Sequence, residues 1–202
     1  MKKLKLSLCL VMCALMMSQM FQAKTQAQSL GALSPQAAQR AVGERSRAVV
    51  RALKNRDMKT LALYVDAKRG LRFSPYVYAA KSDKVFSVAQ VRRLGRDKTR
   101  YLWGSYDGSG EPMRLSWSDY RKTFVYPRNF FAITPLFNTF MRRGNLKNNL
   151  AQIYPRGVFV EYYSSAQNPK YGGLDWRSLW LVWNRSGNAW KLSAIAGDQW
   201  TT

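Results

Sequence analysis

VFVEYYSS (158–165), RSLWLVWN (177–184) and AWKLSAIAG (189–197) are the runs that decide how this chain folds. Apolar and aromatic residues dominate the first two, at lengths typical of strands, and all three are bounded by turn formers. Arg185-Ser186-Gly187-Asn188 has the composition of a tight hairpin between the last two. Alternation in the middle run puts Trp180 and Val182 on one face and Leu179, Leu181 and Trp183 on the other. With both faces partly apolar, one is expected to pack on helices and the other to form a pocket or an interface.

Upstream the pattern turns helical. Ser34-Pro35 is a strong helix start, the serine capping and the proline taking the first helical position. The helix is expected to run to about Lys54, with Ala38, Val42, Val49 and Leu53 as its buried stripe. Arg40, Arg47, Arg51 and Lys54, interrupted by Glu44, read as a solvated face. A short helix is expected after Asp57, using Met58, Leu61 and Tyr64, and another after Ser87 that ends at Gly95. GLRFSPYVY (70–78) carries Pro75 and reads as an edge strand or irregular extended segment. Lys98–Tyr106 reads as a strand, YDGSGEP (106–112) as a turn, and Ser116 or Ser118 as the start of a helix bearing Trp117, Tyr120 and Phe124. Residues 126–156 show no clear period. Helices first and strands last predict an α+β fold: N-terminal helices packed on a curved antiparallel sheet that ends in a three-strand meander.

The first 27 residues have the parts of a secretory leader: Lys2, Lys3 and Lys5, then a mostly apolar run from Leu6 to Phe21, then Thr25 and Ala27 spaced for cleavage after Ala27. The run is shorter than the ~20 residues of a spanning helix. Both cysteines, Cys9 and Cys13, lie inside it, preceded by Leu8 and Met12 rather than by the small residue that lipidation needs. The expected organisation is a signal peptide over 1–27, a flexible leader over 28–34, and one basic α+β domain over 35–202, exported to the periplasm or beyond. Without the leader, 29 Lys and Arg face 11 Asp and Glu, a net charge of +18. Residues 40–100 hold 17 of these cations against 5 acids. That balance favours anionic partners, with an evenly solvated basic surface as the plainer reading.

Chemistry is narrowed by what is missing. The chain has no histidine, which excludes His-based triads and imidazole metal sites. Beyond the leader it has no cysteine, so zinc, disulfides and thiolate chemistry fall away as well. GSYDGSG (104–110) lacks the lysine and following helix of a phosphate loop. No metal and no cofactor is expected. The remaining catalytic option is a carboxylate pair from Asp107, Glu111, Glu161, Asp175 and Asp198, because carboxylates in apolar surroundings suit proton transfer. Ion pairs with Arg177 or Arg72 explain Glu161 and Asp175 equally well. Aromatics interleaved with cations could stack on bases or sugars, although seven tryptophans more often build a core.

Several pieces together resemble one family. RFSPY (72–76), YLWGSYDGSGEP (101–112), the segment 145–155, FVEYY (159–163), YGGLDWRSLWLVW (171–183) and DQWT (198–201) resemble a group of secreted bacterial proteins without an assigned activity. Members of that group commonly carry a histidine before DQW and another after VEY. Gly197 and Tyr163 stand there in this chain, which implies that any histidine-based activity is absent or altered. The order of elements is also similar to the nuclear transport factor 2-like (cystatin-like) cone fold, which implies a curved sheet wrapped around a long helix, enclosing an apolar-to-polar pocket.

The reading that follows is an exported non-catalytic binding domain for an anionic or amphipathic envelope ligand. The alternative is a carboxylate-dependent hydrolase or isomerase working in a cone-shaped pocket, and nucleic-acid binding comes third. Expected partners are an anionic envelope polymer, a lipid surface or a small molecule. Ligand-binding candidates are Arg72, Trp103, Tyr106, Glu161, Asp175, Trp176, Arg177, Asp198 and Trp200. The sharpest geometric expectation is that DWR (175–177) and DQW (198–200) meet at one end of the sheet, with Arg177 clamping Asp175 and Asp198.

Overall fold

In the computed structural model the described residues are 28, 29, 31, 33–145 and 147–201. The expected leader over 1–27 lies outside them. Helix α1 (Pro35–Asn55) begins where Ser34 accepts a hydrogen bond from the Ala37 N–H at 3.3 Å. It stops at Arg56, whose φ of 57° is left-handed. Ala38, Val42, Val49 and Leu53 are all buried along one side, and each large apolar side chain buried in this way contributes about 1.5–3 kcal/mol. Asp57 caps α2 (Met58–Tyr64). Strand β2 (Leu71–Ser74) follows, then β3 (Lys84–Phe86). Ser87 and Gln90 form a reciprocal capping box at the start of α3 (Val88–Arg93).

Strands β4 (Arg100–Ser105) and β5 (Pro112–Ser116) make a separate two-stranded ribbon across the YDGSGE turn. It leads into the short helix α4 (Trp117–Tyr120), which runs on as a wider turn over Arg121–Val125. Short strands β6 (Leu136–Phe137) and β7 (Thr139–Phe140) are separated by Asn138, whose φ is 44°. Asn138 donates to the Leu33 carbonyl and accepts from the Phe159 N–H, both at 2.8 Å. One buried amide thereby ties the approach to α1 onto the sheet. Gln28–Ser29, read from the sequence as part of a flexible leader, instead pairs with β7 as strand β1.

The main sheet is completed by β8 (Val158–Ser164), β9 (Arg177–Ser186) and β10 (Ala189–Gln199), after the single turn α5 (Leu150–Ile153). Its order is β3-β2-β10-β9-β8-β6. The fold is α+β, but the sheet is mixed rather than antiparallel throughout, because β2 runs parallel to β10. Neither is β2 an edge: β3 covers its other side. Pro75 falls just past the end of β2, so its missing N–H removes no ladder bond.

Each face of the sheet has its own core. Leu179, Leu181, Trp183 and Ile195 pack with the buried side of α1 and with the aromatic group Phe73, Trp103 and Tyr120. Phe159, Trp180, Val182 and Ala196 pack beneath Val77, Ala79 and Leu150. Asn149 fixes that second cover by exchanging two hydrogen bonds with the Ala79 backbone, at 2.8 and 3.0 Å. No helix among the described residues is long and apolar enough to cross a membrane.

Candidate functional site

Three of the places where polar or titratable groups adjoin a cavity or a core bear on function. A cavity of about 650 Å³ lies between the first half of α1 and the segment 131–137. Val50, Phe131, Ile133, Phe137 and Tyr162 make its apolar wall. Arg40, Glu44 and Arg47 stand along the helix side. Arg47 lies over the Phe131 ring at 4.5 Å and Lys54 over the same ring at 5.1 Å. The stripe Arg40, Arg47, Arg51 and Lys54 is exposed, as expected of a solvated face, and Arg40 and Arg47 of it also border the cavity. Burial pushes the Tyr162 phenol well up, with Arg47 offsetting some of the effect. Gly43 sits in the helical wall, and a Cβ there would meet only ordinary contacts, Gln39 Cγ at 3.7 Å and Phe137 Cζ at 3.8 Å.

The second place is a pair of acids under the opposite face. Glu161, on β8, is 1% exposed. Its Oε1 is ion-paired with Arg143 Nη1 and accepts from Ser178 Oγ at 2.6 Å. Its Oε2 is buried without a hydrogen-bond partner among the described residues. The Arg143 guanidinium also lies 3.9 Å from the Tyr163 ring centroid. Asp198, on β10, is pushed up to about 7, first by burial and then by the neighbouring Glu161 charge, while the Gln199 N–H and Arg143 pull the other way. Gly197 beside it has no room for a side chain, since a Cβ would come within 2.6 Å of the Phe124 carbonyl oxygen and 2.8 Å of that of Pro75.

The third place is the sheet end. Gln199 pairs with Arg177 across β9 and β10, so DWR and DQW lie side by side. A cavity of about 520 Å³ opens there, walled by Arg128, Tyr171, Leu174, Asp175, Arg177 and Trp200. The expected clamp is not present. Asp175 is held by Arg128 Nη2 at 2.9 Å and by the Gln167 and Asn168 backbone N–H groups at 3.1 and 3.2 Å. Burial would raise its carboxyl, but those N–H groups and Arg128 outweigh it, and the net direction is down. Arg177 donates from Nη1 to the Trp176 carbonyl oxygen at 2.9 Å and forms no ion pair with either acid. Asp198 faces Glu161 instead.

The other sequence candidates lie apart from these three places or within the packing around them. Trp103 is fully buried, stacked on Tyr120 at 3.8 Å, with its indole N–H donated to the Leu115 carbonyl oxygen. Arg72 reaches Tyr154 Oη, the Ala80 carbonyl oxygen and Asp83, and it pins the chain between β2 and β3. Trp176 is buried beside Tyr163 and above Gly144. Tyr106 is exposed at the ribbon tip against Phe124. Asp107 and Glu111 are exposed in the same turn, away from the other acids. The expectation of ion-paired Glu161 and Asp175 holds in kind, but their partners are Arg143 and Arg128 rather than Arg72 or Arg177. Both partners come from the aperiodic region 126–156, where nothing in the sequence separates a pairing arginine from a solvated one. The apolar run FFAITPLF (130–137) was the one available sign of the large cavity.

No family model, curated protein or solved structure matches the chain.

Proposed function

We propose that the protein is an exported binding domain, and that the cavity between α1 and residues 131–137 takes an amphipathic anion, a single acyl chain ending in a carboxylate or phosphate. The observation that carries this reading is the make-up of the cavity. An apolar wall of Phe131, Ile133, Phe137, Tyr162 and Val50 lies under a helical rim where two arginines outnumber one glutamate. Apolar pockets with a few convergent polar groups are the usual form of small-molecule sites, and 650 Å³ lies within their range. The long helix packed on a six-stranded sheet supports the likeness to the cone fold, and function does not travel with that likeness.

Gly43 provides the test. Gly43→Ala adds a methyl in ordinary contact and should stabilise α1 by up to about 1 kcal/mol through helix propensity. Gly43→Trp projects an indole into the cavity. Displacement of a fluorescent probe should show dodecanoate binding to the parent and to Gly43→Ala. Binding should be lost in Gly43→Trp and weakened in Arg40→Gln/Arg47→Gln. Dodecanol bound as tightly as dodecanoate, or dodecanoate retained by Gly43→Trp, would overturn the reading.

A further inference from the structure

The cavity at the end of the sheet is built differently from the groove beside α1, and we propose that it binds a saccharide bearing an oxyanion, either a carboxylate or a phosphate. The first support is an imbalance of donors. Arg177 is half-buried, and the one hydrogen bond its side chain makes among the described residues goes to a neighbouring carbonyl oxygen. The acid nearest to hand, Asp175, is committed to Arg128 and to two backbone N–H groups. Arg128 Nε is itself buried without a partner. Two guanidinium groups therefore share one wall with a single carboxylate that is already engaged. Burial and the nearby Arg128 charge both push the Arg177 guanidinium toward its neutral form, and Asp175 only partly offsets them. A half-buried cation in that state is costly when the cavity is empty, and a charge-assisted bond to an anion recovers the loss. The planar fork of arginine matches a carboxylate or phosphate edge.

The second support is independent of charge. Trp200, Tyr171 and Leu174 are 37%, 54% and 45% exposed, and all three line this one cavity. Large aromatic side chains left in water next to guanidinium groups offer an apolar platform with polar edges. A pyranose ring has the complementary form, an apolar C–H face and a rim of hydroxyls. The Gln167 and Asn168 side chains line the cavity as well, and sugar hydroxyls can pair with their remaining amide valences, such as the Asn168 side-chain N–H groups, where an acyl chain cannot. The loop is preorganised for this role. Asp175 draws the backbone of Gln167 and Asn168 inward, and Gly172 and Gly173, at φ 55° and 85°, turn the chain back with open space around them.

The test is titration of the full protein with glucuronate, glucose 6-phosphate, glucose and inorganic phosphate, followed by tryptophan fluorescence and by chemical-shift changes of the Trp200 indole. The expected result is binding of glucuronate, glucose 6-phosphate or both, at least about tenfold tighter than glucose or phosphate alone, as loss of a charge-assisted bond or of the ring contact requires. Preference between the two charged sugars tells carboxylate from phosphate. Arg177→Gln and Trp200→Ala should each weaken that binding about tenfold or more, and Arg177→Lys should not restore it. Trp200 is exposed, so Trp200→Ala remains informative if Arg177→Gln fails to fold. Gly43→Trp should leave the sugar titration unchanged, which separates this site from the groove. Glucose bound as tightly as the charged sugars overturns the anionic assignment. Phosphate bound as tightly as glucose 6-phosphate overturns the saccharide assignment. No binding by any of the four, or binding indifferent to Trp200→Ala, overturns the site itself.

Discussion

At Asp198 a single carboxyl makes the fold sensitive to pH. Its ordinary value is 3.8, and burial followed by the Glu161 charge raises it to about 7 in the folded chain. Below pH 4 both folded and unfolded chains hold the proton, and the group contributes nothing to the balance. Between pH 4 and 7 the unfolded chain releases it while the folded chain keeps it, so stability falls as pH rises. Each pH unit costs about 1.4 kcal/mol, and the loss levels off above pH 7 on the order of 4 kcal/mol. Asp198→Asn keeps the shape and removes the titration. Urea unfolding of the parent and Asp198→Asn should give equal stability near pH 4 and a growing advantage for the variant up to pH 8. A constant difference at every pH would show that Asp198 is not the titrating group. Burial also bears on the carboxylate-enzyme alternative. Glu161 is 1% exposed and already ion-paired with Arg143, so it is not free to take a proton from a substrate in this arrangement.

Elements with a local signal were legible from the sequence, and those fixed by distant contacts were not. Ser34-Pro35, Asp57 and Ser87 announced their helices because a cap is a short-range hydrogen bond. Two-residue periodicity placed Leu179, Leu181 and Trp183 opposite Trp180 and Val182, as the two cores have them. Strand β3 and the parallel pairing of β2 with β10 depend on partners far away in sequence, and no local pattern encodes them. The missing clamp has two causes: Asp175 is already held by Arg128 and the 167–168 backbone, and the register moves Asp198 away from Arg177. Pairing begins with Ala189 opposite Ser186, and an unbroken ladder would set Asp198 opposite Arg177. An irregularity between Leu192 and Ala194 inserts one residue, so Gln199 takes that place and Asp198 passes to the other face. A similarly distant contact closes α1. Arg121, buried and pushed down first by burial and then by Arg56, donates Nε and Nη2 to the Leu53 carbonyl oxygen at 3.1 and 2.7 Å. Positive charge at a helix C-terminus is favourable, and bonds from charged donors are worth about 1.5–3 kcal/mol. Arg121→Met should lower the unfolding free energy by that order, with faster amide exchange over 50–55 than over the first turns of α1. Unchanged exchange there would show that the helix end does not depend on Arg121.

Over the whole molecule, charge is the property that interior pairing leaves least resolved. Four ion pairs occur among the described residues, each with a different acid. Residues 28–202 hold 29 Lys and Arg, so most of them have no such partner among the described residues. Their distribution is uneven. Arg56, Lys59, Arg92 and Arg96 converge where the start of α2 meets the end of α3, with Asp57 as the single acid among them. Exposed charges are screened within about 8 Å at physiological salt, so a cluster of neighbours attracts a polyanion more strongly than the same charges scattered. Attachment to anionic vesicles should therefore be strong at low salt and fall steeply as salt rises. Changing Arg56, Lys59, Arg92 and Arg96 together to Gln should weaken sedimentation with such vesicles more than the same change at Arg114, Arg142, Lys147 and Arg156, which are exposed but dispersed along the chain. Equal losses from the two sets would mean that net charge alone drives attachment. Retention that does not respond to salt would remove electrostatics as its cause, and would turn attention to an apolar contact through the groove beside α1.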